Sequence, residues 1–239
     1  MELMEYIARD ADIAPVAALI AEPTRAAILT ALLGGRALAA GELARISGVS
    51  AATASAHLAR LLDGGLVAVV RQGRHRYYRL AGHEVAEVLE VLARISARPP
   101  VRSLRQSRQA KQLEEARTCY DHLAGRAGVA LLDRLRESGC YAGESGLTEA
   151  GERLLAGLGV DVAGARSSRR RFAPECLDWT ERRAHLGGAL GAAITEVLFE
   201  RGWLRRGAVP RAVLVTDEGR EGLSALFAGK ELTSHMPIT

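Results

Sequence analysis

The sequence predicts a mainly α-helical chain that carries small two-stranded hairpins. Three observations predict it. Apolar residues recur at helical spacing through much of the first hundred positions, as in Ala54, Leu58 and Leu61. Residues 66–80 break that rhythm with a β-branched run, a basic Gly-containing tip and a Tyr-rich return. Beyond residue 114, two stretches repeat one another in spacing. The chain has 239 residues, 48% hydrophobic but only 4% aromatic, so its cores are built from Ala, Leu and Val.

Residues 14–20 and 24–33 read as helices, with Pro23 at a helix start. Residues 41–46 form a short helix with Leu43 and Ile46 facing inward. Gly48 supplies a sharp turn and Ser50 caps the next helix. On that helix Thr53, Ala56 and Arg60 project away from the buried stripe, with Ser55 and His57 on its flanks. Residues 66–70 form a strand, 71–76 a hairpin tip and 77–80 the return strand. Helix, tight turn, helix and basic hairpin together make a winged helix-turn-helix, a shape that lays one helix in the major groove of DNA. Ser50, Thr53, Ser55, His57 and Arg60 are the expected groove-facing residues, and Arg71, Arg74 and Arg76 the expected phosphate or minor-groove contacts.

Residues 15–95 resemble the ArsR/SmtB family of bacterial winged-helix repressors. The resemblance rests on Pro23-Thr24-Arg25 with Ile28-Leu29, on Glu42-Leu43-Ala44 with Gly48-Val49-Ser50, and on Ser55-Ala56-His57-Leu58. Gly64-Gly65-Leu66-Val67, Arg71-Gln72-Gly73-Arg74 and Tyr77-Tyr78-Arg79-Leu80 extend it through the wing. It implies a dimeric repressor whose DNA affinity is set by an inducer, with the helix after the wing packed against its twin. The chain departs from the family where Ala51, Ala52 and Ala56 replace larger reading residues. The family's metal sites are also missing. Gly41-Glu42-Leu43-Ala44 stands at the usual Cys pair, and the helix after the wing offers only His83.

Net charge is +4, which permits nucleic-acid binding without requiring it. No run spans a bilayer; residues 186–199 are too few and include Thr195 and Glu196. The first residues lack a basic, apolar-cored leader. Three cysteines suit reduced thiols in a cytoplasm better than a disulfide framework.

Helical spacing continues over residues 83–95 through Val85, Val88, Leu89 and Leu92, until Pro99 and Pro100 mark a boundary. The expected domains are residues 1–97, a basic linker over 98–113, and a C-terminal module over 114–239. The linker holds Arg98, Arg102, Arg105, Arg108 and Lys111, either a strap along DNA or a solvated face. Within the module, repeats near 114–160 and 174–229 align His122 with His185, Gly128 with Gly191, Gly139 with Gly202, Cys140 with Trp203 and Thr148 with Thr216. Each repeat reads as helix, helix, short hairpin, helix. This is a winged-helix-like layout without a reading helix, suited to sensing or dimerisation.

Cys119 and His122, at i and i+3, are expected to share a helix face. Cys176 and His185 hold matching places, so pseudo-symmetry would offer two thiolates and two imidazoles to a metal such as Zn²⁺. Asp121 and Asp178 would orient a His or bind a cation, and Trp179, Arg182 and Arg183 would bind an anionic or aromatic ligand. Metal site, thiol sensor, organic-ligand pocket and structural role all remain open. Arg166 to Arg171 reads as a solvated connector or a phosphate contact. An enzyme built on Cys119, Asp121 and His122 lacks a Gly-rich loop, nucleophile elbow or cofactor fingerprint.

The combined expectation is a homodimeric, cytoplasmic repressor on a near-palindromic duplex, released by a small-molecule or metal effector in the C-terminal module. The alternative is a protein-interaction module whose winged helix no longer binds DNA.

Overall fold

A computed structural model describes residues 11–97, 100–143 and 146–228. The chain folds as two compact units that divide between Leu92 and Ala93.

Unit one starts with α1 (Ala14–Ala21) and α2 (Pro23–Leu32). Glu22 caps α2, its carboxylate accepting the Thr24 and Arg25 amides at 3.0 and 2.8 Å. Arg25 is buried and turns back on α1, donating to the carbonyls of Leu19 (2.7 Å) and Ala18 (2.8 Å) that the helix end leaves unsatisfied. The turn helices are α3 (Ala40–Ser47) and α4 (Ala51–Asp63). Gly48 ends α3 at φ 70°, in the left-handed region where a side chain is strained. Ser50 caps α4 by accepting the Thr53 amide. Leu43, Ala54, Leu58 and Leu61 are buried with Ile28, Leu29 and Leu32 of α2. Ile46, expected to face inward, is exposed, because the short α3 turns Leu43 and Ala44 to the core instead.

The wing pairs β2 (Val67–Gln72) with β3 (His75–Leu80), and β1 (Leu38–Ala39) adds to the far side of β3. The ladder runs further than the 66–70 and 77–80 strands predict. Arg71 pairs with Arg76 and Gln72 with His75, so the tip shrinks to Gly73 and Arg74. Gly73 at φ 58° permits so tight a reversal. α5 (His83–Ile95) follows.

In the segment expected to be a linker, residues 104–115 form a helix, α6 (Leu104–Glu115), capped by Ser103. Its basic residues Arg105, Arg108 and Lys111 are exposed along it, so a solvated helix face replaces most of the linker. Arg98 and Pro99, with residues 229–239, lie outside the described residues.

Unit two contains two successions of similar elements. The first is β4 (Arg117–Cys119), β5 (His122–Ala124), α7 (Gly125–Glu137), a bridge between Tyr141 and Leu147, α8 (Glu149–Leu158) and the short α9 (Val162–Ser167). The second is β6 (Glu175–Leu177), β7 (Ala184–Leu186), α10 (Gly188–Glu200), β8 (Leu204–Arg206), β9 (Val213–Val215) and α11 (Asp217–Phe227). The helix expected at the head of each repeat is a β-hairpin. Spacing i and i+3 also fits a two-residue hairpin loop, here Tyr120 and Asp121, with Tyr120 at φ 60°. Thr148 and Thr216 cap α8 and α11. Gly151 and Gly219 sit against the carbonyls of Cys140 and Trp203, where a Cβ would come within 2.2 Å of each oxygen.

The halves of unit two interlock. Thr195 of α10 accepts the Leu123 amide of β5 at 2.9 Å. A Cβ added at Gly128 would lie 3.6 Å from the His185 Cβ, and one at Gly191 3.1 Å from the His122 Cβ. A single core holds Leu132, Leu135 and Leu155 of the first half with Leu190, Ile194 and Leu198 of the second.

Candidate DNA-reading surface and candidate metal centre

The outward face of α4 carries Thr53, Ser55, Ala56 and Arg60, all exposed, beside the exposed Ser50. Ser50 and Thr53 hydroxyls bond each other at 2.8 Å, and Ser55 donates to the Ala51 carbonyl at 2.8 Å. These short side chains keep the helix slim, which suits close approach to base edges. His57 is placed differently from the expectation. Its Nδ1 lies 3.3 Å from the Glu22 carboxylate and its side chain is mostly buried. Position 57 lies on the flank nearer α2, so the imidazole ties α4 to the capping residue instead of facing outward. Desolvation works against ionised Glu22, but the Thr24 and Arg25 amides and His57 outweigh it and hold the carboxyl down at about 2.

Arg71, Arg74 and Arg76 are all exposed on the wing. Arg71 and Arg76 are direct cross-strand partners. Side chains at such a pair project on the same face, and like charges there repel. Three guanidinium groups at one tip form a local positive field that a polyanion would relieve.

In unit two, Cys119 opposes His122 across β4–β5, and Cys176 opposes His185 across β6–β7. The hairpins bring all four together. The Sγ atoms of Cys119 and Cys176 are 3.9 Å apart, and the Nε2 atoms of His122 and His185 are 3.2 Å apart. One ligand atom from each of the four residues falls within 4.8 Å of the other three. Cys119, His122 and His185 are buried and Cys176 is half-buried. Facing Cys119, with His122 and His185 beside it, the Cys176 thiol is pushed down to about 2. Burial opposes a charge on His122, but Asp121 and Cys176 prevail and raise its pKa.

Each imidazole is backed by a carboxylate and each carboxylate by an arginine. His122 Nδ1 lies 3.6 Å from Asp121, which accepts two hydrogen bonds from Arg170. His185 Nδ1 lies 3.8 Å from Asp178, which accepts from Arg117 at 2.8 Å and from the Gly125 amide at 2.7 Å. Burial works against ionisation of both carboxyls, yet these donors hold each below its ordinary value. Arg117 also stacks on Trp179, 4.5 Å from the ring centroid. Arg182 is exposed at φ 57° in the β6–β7 loop, and Arg183 pairs with Asp133. Trp179 is thus engaged by Arg117, and Arg183 by Asp133.

The sequence does not reveal that Arg117 pairs with Asp178 or Arg170 with Asp121. Neither has a local signal, since their carboxylates lie 61 and 49 residues away. The connector containing Arg170 is tied down also by Arg166, which bonds Glu152 and stacks on Phe172.

A slim exposed helix beside a basic hairpin defines a winged-helix DNA-binding protein. Residues 20–70 match the helix-turn-helix domain family. The chain is 41% identical over 212 residues to the HTH-type transcriptional regulator YdfF of Bacillus subtilis strain 168, covering 87% of this chain and 94% of that protein. It is 33% identical over 94 residues to the HTH-type transcriptional regulator YgaV of Escherichia coli K12, covering 39% of this chain and 95% of that one. The crystal structure of the transcriptional repressor BigR from Xylella fastidiosa aligns with a TM-score of 0.35 at 26% identity, over 41% of this chain and 97% of that one. The chain belongs to the HTH-type transcriptional regulators of the ArsR/SmtB type. Among the described residues no single helix is long and apolar enough to cross a membrane.

Proposed function

We propose that the chain is a homodimeric repressor that binds a near-palindromic operator and is released when an effector occupies unit two. The observation that carries the DNA-binding part is the opposition of Arg71 and Arg76 beside exposed Arg74, on the hairpin next to α4. In this reading Ser50, Thr53, Ser55 and Arg60 position α4 and read base edges, while the wing arginines supply salt-dependent affinity. His57 acts from behind, by holding α4 against Glu22.

Dimerisation is supported by apolar residues left exposed in unit one: Val88, Val91 and Leu92 on α5, and Ile13 and Val16 at α1. A two-fold axis there would set two reading helices one DNA turn apart, roughly 34–36 Å. An effector that favours a different helix separation needs a coupling of only about 1–3 kcal/mol to empty an operator. The protein acts in the cytoplasm in this account.

The test is anisotropy with DNA from immediately upstream of the coding sequence, in the presence of excess unrelated duplex. Retained binding supports a repressor acting on its own promoter. The exposed Ala51, Ala52 and Ala56 favour a second reading, an interaction module that has lost DNA. It predicts no binding to any duplex, even at low salt.

A further inference from the structure

We propose that Cys119, His122, Cys176 and His185 bind one tetrahedral divalent cation of the Zn²⁺ class, clasping the two halves of unit two. The proposal does not rest on the DNA-binding reading.

Geometry is the first support. A tetrahedral ion with Zn–S of about 2.3 Å and Zn–N of about 2.0–2.1 Å sets sulfurs roughly 3.8 Å apart and nitrogens roughly 3.3 Å apart. The sulfurs here are 3.9 Å apart and the nitrogens 3.2 Å. Both distances fit a single central ion. A disulfide needs sulfurs at about 2.05 Å, so Cys119 and Cys176 would have to move together, and the paired histidines would stay unused.

The histidines are the second support. Two Nε2 atoms face each other in a buried site, and neither Nδ1 has a hydrogen-bond partner. A cation between them would take both Nε2 lone pairs and leave a proton on each Nδ1. Those protons would point to Asp121 and Asp178. Carboxylates behind metal-bound imidazoles fix the ring and tautomer. Arg170 and Arg117 in turn hold the carboxylates in place.

Charge and connectivity agree. Two thiolates neutralise a divalent ion, and two imidazoles complete a soft set that hard Mg²⁺ or Ca²⁺ does not favour. All four positions are filled by protein, as in structural sites. Each hairpin gives one Cys and one His from directly opposed positions, so each acts as a preformed two-point ligand. The ligands of the two hairpins lie 57 and 63 residues apart in sequence, so a bound ion closes a long loop.

The experiment titrates Co²⁺ into the reduced, chelator-treated full chain. The expected result is one Co²⁺ per chain, with intense tetrahedral ligand-field absorption and thiolate charge transfer, both lost on adding one equivalent of Zn²⁺. Cys176→Ser should lower affinity at least tenfold and weaken the charge-transfer band, while Cys140→Ser leaves both unchanged. Alkylation mapped by mass spectrometry provides a readout free of variants. Zn²⁺ should slow labelling of Cys119 and Cys176 and leave Cys140 unaffected. No uptake, a weak octahedral spectrum, dependence on Cys140, or unprotected Cys119 and Cys176 would each overturn the proposal.

Discussion

Arg117 and Asp178 form an ion pair 2.8 Å long, with both side chains almost wholly shielded from water. Asp178 also accepts the Gly125 amide at the start of α7 and the Thr180 amide and hydroxyl in its own loop. The pair therefore links the first hairpin to the second. Removing one partner leaves a buried charge uncompensated, which costs about 3–5 kcal/mol. Arg117→Met should lower unfolding free energy by that amount in urea titrations. Arg117→Met with Asp178→Asn should recover part of the loss. A single-variant loss below about 1 kcal/mol would show that the pair is not isolated from water.

Arg71, Arg74 and Arg76 crowd one wing tip. Each arginine that neutralises a phosphate contributes about 0.9 to the slope of log affinity against log salt. Arg74→Ala should weaken binding to every duplex and flatten the slope by roughly that much, measured by anisotropy across a salt series. An unchanged slope would remove Arg74 from the DNA contact.

Val88 and Val91 are 48% and 41% exposed on α5. Val88→Glu with Val91→Glu should leave the monomer fold intact by circular dichroism and halve the mass seen by sedimentation. Specific DNA binding should fall with it, since one reading helix alone lacks a second half-site. A dimer that survives both charges would place the interface elsewhere.

Glu22 holds the N-terminus of α2 and the flank of α4 together. Its pKa in the folded protein, about 2, lies below the ordinary carboxylate value near 4.5. The ionised form is thus favoured by folding. Its contribution is fully present above about pH 4.5 and is lost as pH falls towards 2. Thermal melts of Glu22→Gln should show a lower midpoint than the parent at pH 7, and the two should converge near pH 2. A gap that persists unchanged at pH 2 would rule out the carboxylate as its source.

Unit one was legible because its signals are local. Pro23, Gly48 and Ser50 mark ends and turns by their own backbone preferences, and Leu58 and Leu61 mark a buried stripe. The two-residue β1 carries no period, so it could not be read. In unit two the repeat spacing aligns Thr148 with Thr216, and both cap helices, but the three-residue spacing of Cys119 and His122 fits both a helix turn and a tight hairpin. Backbone conformation at Tyr120 decides between them. The arginines that hold Asp121 and Asp178 come from distant segments, which no local pattern reports. His57 sits on a helix flank, which can face either groove or core, and only the position of Glu22 settles which.

The most direct measurement of the central claim is anisotropy of labelled upstream DNA with the full-length protein at two salt concentrations, against excess unrelated duplex. The account predicts tight binding that survives the competitor and weakens steeply with salt. Absence of binding at low salt would contradict it and leave the winged helix as a surface for protein partners.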